Sequence, residues 1–241
     1  MRAALRDRIA PDHRLWLRHS LSRWRNPAWL GSVRRTAPLS TIWGHDRGRP
    51  IDRFYIERFL DEHRRDIHGR VLEIRDNAYT RRFGRDVVRS DVLDVVPTNA
   101  MATIITDLTA ADAIASNVYD CFILTQTLQY VSDIRAALVH THRILRPGGV
   151  LLATLPGIAR VDLAAQATDY WRFTLASCAL LFSDVFGAGH ATLRSHGNVL
   201  VAIATLLGMA QEELRQRELE VSDEAFPVLI TVRAMKQPSP A

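Results

Sequence analysis

Short apolar runs alternate along this chain with segments of helical periodicity, and this alternation limits the possible folds more than any other feature. The first run, at residues 71–74, contains one acid and ends at the turn-forming pair Asp76-Asn77. Similar runs occupy residues 86–92, 102–107, 119–125 and 150–155. Strands that alternate with helices predict an α/β fold with a parallel, doubly wound sheet, whose strands all end at the same edge.

The helical segments lie before, between and after these runs. They are expected at residues 51–63, 79–84, 134–145, 175–186 and 198–213. Two further runs, residues 190–196 and 226–233, are expected to add a sixth and a final strand. Ligands bind at the carboxyl ends of the strands in open α/β sheets, so the site is expected beside the first strand and the turn after it.

The chain is expected to have four parts: a basic amphipathic arm (1–36), a loop and helix that could form a lid (37–68), the main α/β domain (69–236) and a frayed tail (237–241). In the arm, apolar residues recur at roughly helical spacing between arginines; they are Leu15, Trp16, Leu17, Leu21 and Trp24. Such an arm either contacts a membrane surface or a partner protein, or packs on its own domain or on a second copy of the chain. Packing is the favoured interpretation, and it allows a homodimer.

The positive charge of the chain is concentrated near its N-terminal end. Residues 1–50 contain eleven arginines and three acids, a net charge of +8, so the +5 of the whole chain leaves −3 for the rest. Because Lys236 is the only lysine, the arginine excess indicates codon usage rather than a surface that follows nucleic-acid phosphates. No nucleic-acid partner is therefore expected.

No apolar run approaches the length that crosses a membrane, and the N-terminal residues lack the apolar core of a signal peptide. The two cysteines, Cys121 and Cys178, both lie in apolar runs, which predicts reduced, buried thiols and a cytoplasmic location. Two cysteines are too few for a structural zinc site, and the sequence has no metal-binding cluster, so no metal is expected.

Polar residues stand at or just beyond the expected strand ends: Glu73, Asp91, Asp107 and Gln126. Asp91 lies 18 residues after Glu73, close to the spacing at which an acid binds ribose hydroxyls in nucleotide-binding α/β folds. Taken singly, each acid is more simply explained as the cap of a turn or a helix. Together, and in this order, they favour a nucleoside ligand.

Two segments carry a more specific signal: residues 119–131 (YDCFILTQTLQYV) and 144–152 (ILRPGGVLL). They resemble the fourth strand, the following helix and the L-(K/R)-P-G-G turn of the class I S-adenosylmethionine-dependent methyltransferases, particularly the small-molecule, type 11-like subgroup. Residues 169–174 (DYWRFT) resemble a segment after the fifth strand of these enzymes, and the whole resemblance covers about residues 69–182. It implies a Rossmann-like, seven-stranded, mostly parallel sheet with helices on both faces, an antiparallel last strand, and S-adenosylmethionine as the cofactor.

The chain departs from this family in the turn after the first strand. The family has an acid followed by three alternating glycines, whereas here Glu73 is followed by Arg75, Asn77 and Tyr79 at the glycine positions. Glycine lets the backbone take a positive φ and approach the cofactor closely, and Asn tolerates that geometry better than Arg or Tyr. Residues 76–84 (DNAYTRRFG) also resemble the turn of a branch of bacterial relatives.

The resemblance implies cofactor roles for six residues. Glu73 would reach the methionine end beside Asn77, Asp91 would hold the ribose, Asp107 with Leu108 the adenine, and Gln126 the region near the sulfonium. An oxygen acceptor also needs a general base, for which the candidates are His45, Tyr130 and Asp169. The candidate acceptor-binding residues are Tyr55, Tyr170, Trp171 and Arg172.

The expected function is methyl transfer by a bacterial enzyme to an oxygen or nitrogen atom of a small molecule, such as a sugar or a secondary metabolite. Because the sulfonium of the cofactor is already activated, alignment of the acceptor supplies much of the acceleration. Two alternatives stay open because of the altered glycine turn. One is a degenerate fold that binds a partner protein through the arm, and the other is an enzyme that uses the cofactor site for another reaction, such as cyclisation.

Overall fold

The computed structural model describes residues 31–238, together with Leu17 and Leu21. The chain divides into two units between Ala37 and Pro38. In the first unit a short 3-10 helix, Gly31–Val33, is described, so the predicted amphipathic arm lies almost entirely outside the described residues. The arm and the four-part division of the chain therefore stay predictions.

In residues 38–238, seven strands form one sheet. They are β1 (Gly69–Ile74), β2 (Val87–Asp94), β3 (Ile104–Ile105), β4 (Tyr119–Thr125), β5 (Leu145–Pro156), β6 (Ala191–His196) and β7 (Leu229–Met235). Their order in the sheet is β3-β2-β1-β4-β5-β7-β6. Strands β1 to β5 pair in parallel, whereas β7 runs antiparallel to both β5 and β6. The predicted seven-stranded, mostly parallel sheet with an antiparallel last strand is confirmed.

The helices connect these strands as the alternation predicts. They are α1 (Ile51–Glu62), α2 (Ala78–Phe83), α3 (Ile134–Ile144), α4 (Leu175–Phe186), α5 (Val199–Leu207) and α6 (Gln216–Glu220). The helix expected at residues 198–213 was predicted too long, because it ends at Gly208. Gly208 has a φ of 72°, and a Cβ there would lie 2.5 Å from the carbonyl oxygen of Ser40, so only glycine fits this close approach.

Apolar side chains cover both faces of the sheet, because neighbouring residues of a strand point to opposite sides. In β4, Phe122 and Leu124 belong to the cluster that packs against α3 and α4, while Cys121 and Ile123 belong to the cluster that packs against α1 and α5. Both Cys121 and Cys178 are free and buried, as predicted. This two-sided core leaves the carboxyl edge of the parallel strands as the place where loops build a site.

No helix within residues 31–238 has both the length and the apolar character needed to cross a membrane. The same residues contain no group of three or more His, Cys, Asp or Glu side chains arranged to hold a metal ion.

Candidate functional site

A cavity of about 750 Å³ opens at the carboxyl edge of β1, β4 and β5. Its walls come from the loop that precedes α1, the first turn of α1, the turn after β1, the turn after β4 and the segment after β5. The volume lies within the range of ordinary small-molecule sites. The candidate site is therefore where the sheet topology predicts it.

Glu73 lies at the base of this cavity and is only 2% exposed. Its carboxylate accepts hydrogen bonds from the backbone N–H of Tyr79 (3.1 Å) and from the N–H and hydroxyl of Thr80 (2.8 and 2.7 Å). Burial raises the pKa of Glu73 to about 7 in spite of these donors. The Glu73 side chain thus links β1 to the start of α2 through hydrogen bonds, and its carboxyl group ionises near neutral pH.

The turn after β1 keeps the backbone shape of a glycine turn without the glycine. Arg75 has a φ of 72°, in the left-handed region, whereas Asn77, which was expected to tolerate that geometry better, has a φ of −120°. A left-handed backbone costs a non-glycine residue roughly 1–2 kcal/mol. Arg75 also lines the cavity, while Asn77 donates to the hydroxyl of Ser90 on β2 at 3.3 Å. The side chain at the strained position is therefore the one that faces the site.

Asp91 does not lie at the end of β2, which corrects the sequence-based expectation. The strand continues for three residues, and Asp91 pairs with Leu72 in the middle of β1. Its carboxylate is 1% exposed and accepts hydrogen bonds from Arg70 (2.8 Å), Arg89 (3.0 Å) and Tyr119 (3.1 Å). Burial alone would raise the pKa of Asp91, but the hydrogen bonds from the two arginines outweigh it and keep the pKa below its usual value. Asp91 therefore has a structural role away from the ligand edge.

Asp94 is the acid at the end of β2. Its carboxylate accepts from the backbone N–H of Val95 (2.7 Å) and Val96 (3.1 Å) and from the amide of Asn99 (2.5 Å). The same Asn99 amide donates to the carbonyl oxygen of Arg75 at 2.7 Å, which links this acid to the turn after β1. Two sequence signals could have identified Asp94: the apolar run continues through residues 92–93, and Asp94 lies 21 residues after Glu73.

Asp107 and Leu108 follow β3 at the same edge, outside the lining of the cavity. Asp107 accepts hydrogen bonds from the backbone N–H and the hydroxyl of Thr109, both at 2.8 Å, and so caps the 3-10 helix Leu108–Ala110. Leu108 is buried beneath it. A single carboxylate oxygen makes both contacts, so the other oxygen has no hydrogen-bond donor among the described residues.

Gln126 follows β4 and lines the cavity with a φ of 48°, a second strained position at the site. Its backbone N–H donates to the carbonyl oxygen of Thr154 on β5 at 2.9 Å. The amide of Gln129 donates to the carbonyl oxygen of Gln126 at 3.0 Å, and the Gln129 Oε1 atom is buried without a partner among the described residues. Gln129, which lines the cavity, was missed by the sequence analysis.

The three candidate bases all line the cavity, but two are chemically unsuited to the role. Asp169 forms a two-pronged ion pair with Arg172 (2.6 and 2.8 Å) and accepts from the backbone N–H of Asp162 at 2.7 Å. The hydrogen bonds from Arg172 hold the pKa of Asp169 below its usual value. Burial raises the pKa of Tyr130 to about 12, so its hydroxyl keeps its proton and donates to Asp162 at 3.1 Å. His45 is exposed at the cavity wall.

Three of the four predicted acceptor-binding residues do not line the cavity. Tyr55 is buried on the other side of α1, where its hydroxyl donates to the carbonyl oxygen of Leu219 at 2.8 Å. Tyr170 is 49% exposed, and Trp171 donates its ring N–H to the carbonyl oxygen of Val131 at 2.9 Å. Arg172 does line the cavity, held by Asp169. The segment after β5 passes the site but turns its aromatic side chains away.

Residues 67–153 match a family model described as a methyltransferase domain. The matched segment runs from just before β1 into β5 and contains Glu73, Asp94, Asp107 and Gln126. No protein of curated function matches the sequence.

Two solved structures illustrate the similarity of fold. A SAM dependent methyltransferase from Archaeoglobus fulgidus is 11% identical with a TM-score of 0.52, and the alignment covers 76% of this chain and 94% of that one. The [4+2]-cyclase SpnF is 14% identical with a TM-score of 0.50 over 76% of this chain and 81% of that one. At such identities the likeness shows the fold alone, and it confirms the Rossmann-like fold predicted from the sequence.

Proposed function

We propose that this enzyme transfers a methyl group from S-adenosylmethionine to an oxygen or nitrogen atom of a small molecule, because residues 67–153 match a family model described as a methyltransferase domain. The observation that supports a small acceptor most strongly is the cavity of about 750 Å³ beside the turn after β1. A cavity of this size is large enough for a drug-sized molecule.

The residues at the sheet edge fit the cofactor. In the proposal, the turn at Glu73 and Arg75 takes the methionine end, Asp94 takes the ribose hydroxyls in place of Asp91, and Asp107 with Leu108 takes the adenine. Gln126 lies beside the reacting centre. The left-handed backbone of Arg75 supports this arrangement, because it keeps the shape that lets the chain pass close to a ligand.

When bound, the cofactor supplies an activated methyl group on a sulfonium. The protein's task is then to hold the acceptor in line and, for an oxygen acceptor, to remove a proton. Of the three candidate bases, His45 is the one we assign this role, since Tyr130 keeps its proton at neutral pH and Asp169 is committed to Arg172. The Tyr130 hydroxyl, whose proton goes to Asp162, can instead accept a hydrogen bond from the acceptor.

Calorimetric titration tests the proposal. Both S-adenosylmethionine and its demethylated product, S-adenosylhomocysteine, are expected to bind saturably to a single site. A folded protein that binds neither ligand would refute methyl transfer and would favour the alternative of a degenerate fold that binds a partner protein. Binding without methylation of any acceptor in a panel of small acids, alcohols and amines would favour another cofactor-dependent reaction, such as cyclisation.

A further inference from the structure

Five arginines line the cavity, and they differ in what balances their charge: Arg53, Arg75, Arg82, Arg160 and Arg172. Arg82 forms an ion pair with Glu57 at 2.8 Å, and Arg172 forms one with Asp169 at 2.6 Å. The guanidinium of Arg160 stacks over the ring of Trp43 at 4.1 Å. Among the residues that the structure describes, no carboxylate lies within ion-pair distance of Arg53, Arg75 or Arg160. Arg75 is exposed, and Arg160 also donates to the carbonyl oxygen of Thr41.

Arg53 lies in the first turn of α1 and is half-buried. Its Nη1 atom donates a hydrogen bond of 2.9 Å to the hydroxyl oxygen of Tyr79, at the start of α2. Burial raises the pKa of Tyr79, so the phenol is neutral and keeps its own proton. Within residues 31–238 that proton has no acceptor, so the Tyr79 hydroxyl and the remaining N–H groups of Arg53 are adjacent donors at the cavity wall.

Most of the acids around the cavity are already engaged. Glu73 caps α2, Asp76 accepts from the backbone N–H of Ala78 at 2.7 Å, and Asp162 accepts from the hydroxyl of Tyr130. A guanidinium beside a hydroxyl donor suits an anionic oxygen pair. The negative charges of Asp52 and Glu57 act on the Arg53 guanidinium without forming an ion pair with it, which favours a ligand with one negative charge over a phosphate with two.

We propose that the acceptor is a small carboxylic acid whose carboxylate binds to Arg53 and Tyr79. The inference rests on the proposed function in that it assigns the part of the cavity beside α1 to the acceptor, while the turn at Glu73 and Arg75 takes the cofactor. Tyr79 stands at a position where the family has glycine, so the usual turn has no side chain there, whereas in this chain the Tyr79 side chain donates at the cavity wall. The walls formed by Trp43, Tyr130 and Ile51 suit an acceptor with a flat or apolar body.

The test uses benzoate and its neutral isostere benzamide as probes of the 241-residue chain saturated with S-adenosylhomocysteine. Ligand-observed NMR measures the affinity for each probe. Benzoate is expected to bind at least tenfold more tightly than benzamide, since a hydrogen bond to a charged group is lost with the amide. Equal binding of the two probes, or no binding of benzoate, overturns the proposal.

Arg53→Met should abolish the preference for benzoate, and Tyr79→Phe, which keeps the ring, should reduce it. Arg82→Met is the matched control, because Arg82 lines the same cavity and Glu57 keeps its contact with Arg49 in that variant. A thermal unfolding scan of each variant shows whether it is folded. If Arg53→Met does not fold, the preference for benzoate is tested with Tyr79→Phe instead. A folded Arg53→Met variant that keeps the preference overturns the proposal.

The titration with S-adenosylhomocysteine separates this inference from the proposed function. The affinity of Arg53→Met for S-adenosylhomocysteine should lie within about twofold of the parent's affinity, because Arg53 binds the acceptor and not the cofactor. A tenfold loss of that affinity with benzoate binding retained would overturn the inference, since Arg53 would then serve the cofactor's own carboxylate. Repeating the benzoate measurement without S-adenosylhomocysteine tests the carboxylate site even if the parent chain binds no cofactor.

Discussion

Asp94→Asn is expected to weaken the binding of S-adenosylmethionine about tenfold to a hundredfold, because a charged acceptor of the ribose hydroxyls is lost. The fold should stay intact. Asparagine keeps an oxygen that can accept from the backbone N–H groups of Val95 and Val96, the contacts that shape the loop after β2. Calorimetric titration of the parent and the variant measures the difference.

Asp91→Asn makes the same chemical change three residues earlier and is the matched control. Asp91 accepts from Arg70, Arg89 and Tyr119 in the middle of the sheet, so its loss should lower the free energy of unfolding by about 2 kcal/mol. Cofactor affinity of the folded variant should match that of the parent. The reverse pattern, with Asp91→Asn weakening binding and Asp94→Asn leaving it unchanged, would contradict the assignment of the ribose site.

Glu73 is expected to make the stability of the protein fall as pH rises from about 4.5 to about 7. Burial raises its pKa in the folded state from an ordinary 4.5 to about 7, so the folded chain holds this proton more tightly than the unfolded chain does. The stabilising contribution is therefore complete below about pH 4.5 and is lost by about pH 7. The loss is about 3 kcal/mol at most, from the conversion of a pKa difference to free energy.

Urea unfolding of the parent and of Glu73→Gln at pH 5 and pH 8 measures this contribution. Glutamine resembles the protonated carboxyl and does not titrate, so the variant should lose less stability than the parent between the two pH values. All other titrating groups are shared and cancel in the comparison. If the two proteins lost the same amount of stability, Glu73 would already be ionised at pH 5 in the folded state.

The fold was predictable because the apolar runs that become β1, β4 and β5 are buried on both faces of the sheet. Strands that are buried on both faces appear in the sequence as nearly continuous apolar runs, which are easy to recognise. Strand ends were less certain, because the run of β2 carries acids at both Asp91 and Asp94 and the sequence does not say which one ends it. Because the end of β2 was placed three residues too early, the sequence predicted Asp91, which has a structural role, in place of Asp94, which lies at the ligand edge.

The direction of individual side chains was harder to predict than the elements that carry them. Tyr55 and Arg53 are two residues apart on α1, yet Tyr55 packs into the core and Arg53 lines the cavity. The role of Arg53 depends on Tyr79, which lies 26 residues later in the chain and approaches it only when α1 packs beside α2. Contacts between distant segments leave no spacing pattern in one sequence.

A crystal structure of the chain with S-adenosylhomocysteine would show the cofactor site itself. We expect ribose hydroxyls within hydrogen-bond distance of Asp94, adenine beside Asp107 and Leu108, and the sulfur atom facing the cavity near Gln126. In that complex the Asn99 amide, which now bridges Asp94 and Arg75, is expected to give up at least one of these contacts to the ribose. A nucleoside bound away from the ends of β2 and β3, or a saturating soak that leaves no nucleoside in the protein, would show that Asp94 and Asp107 do not form a cofactor site.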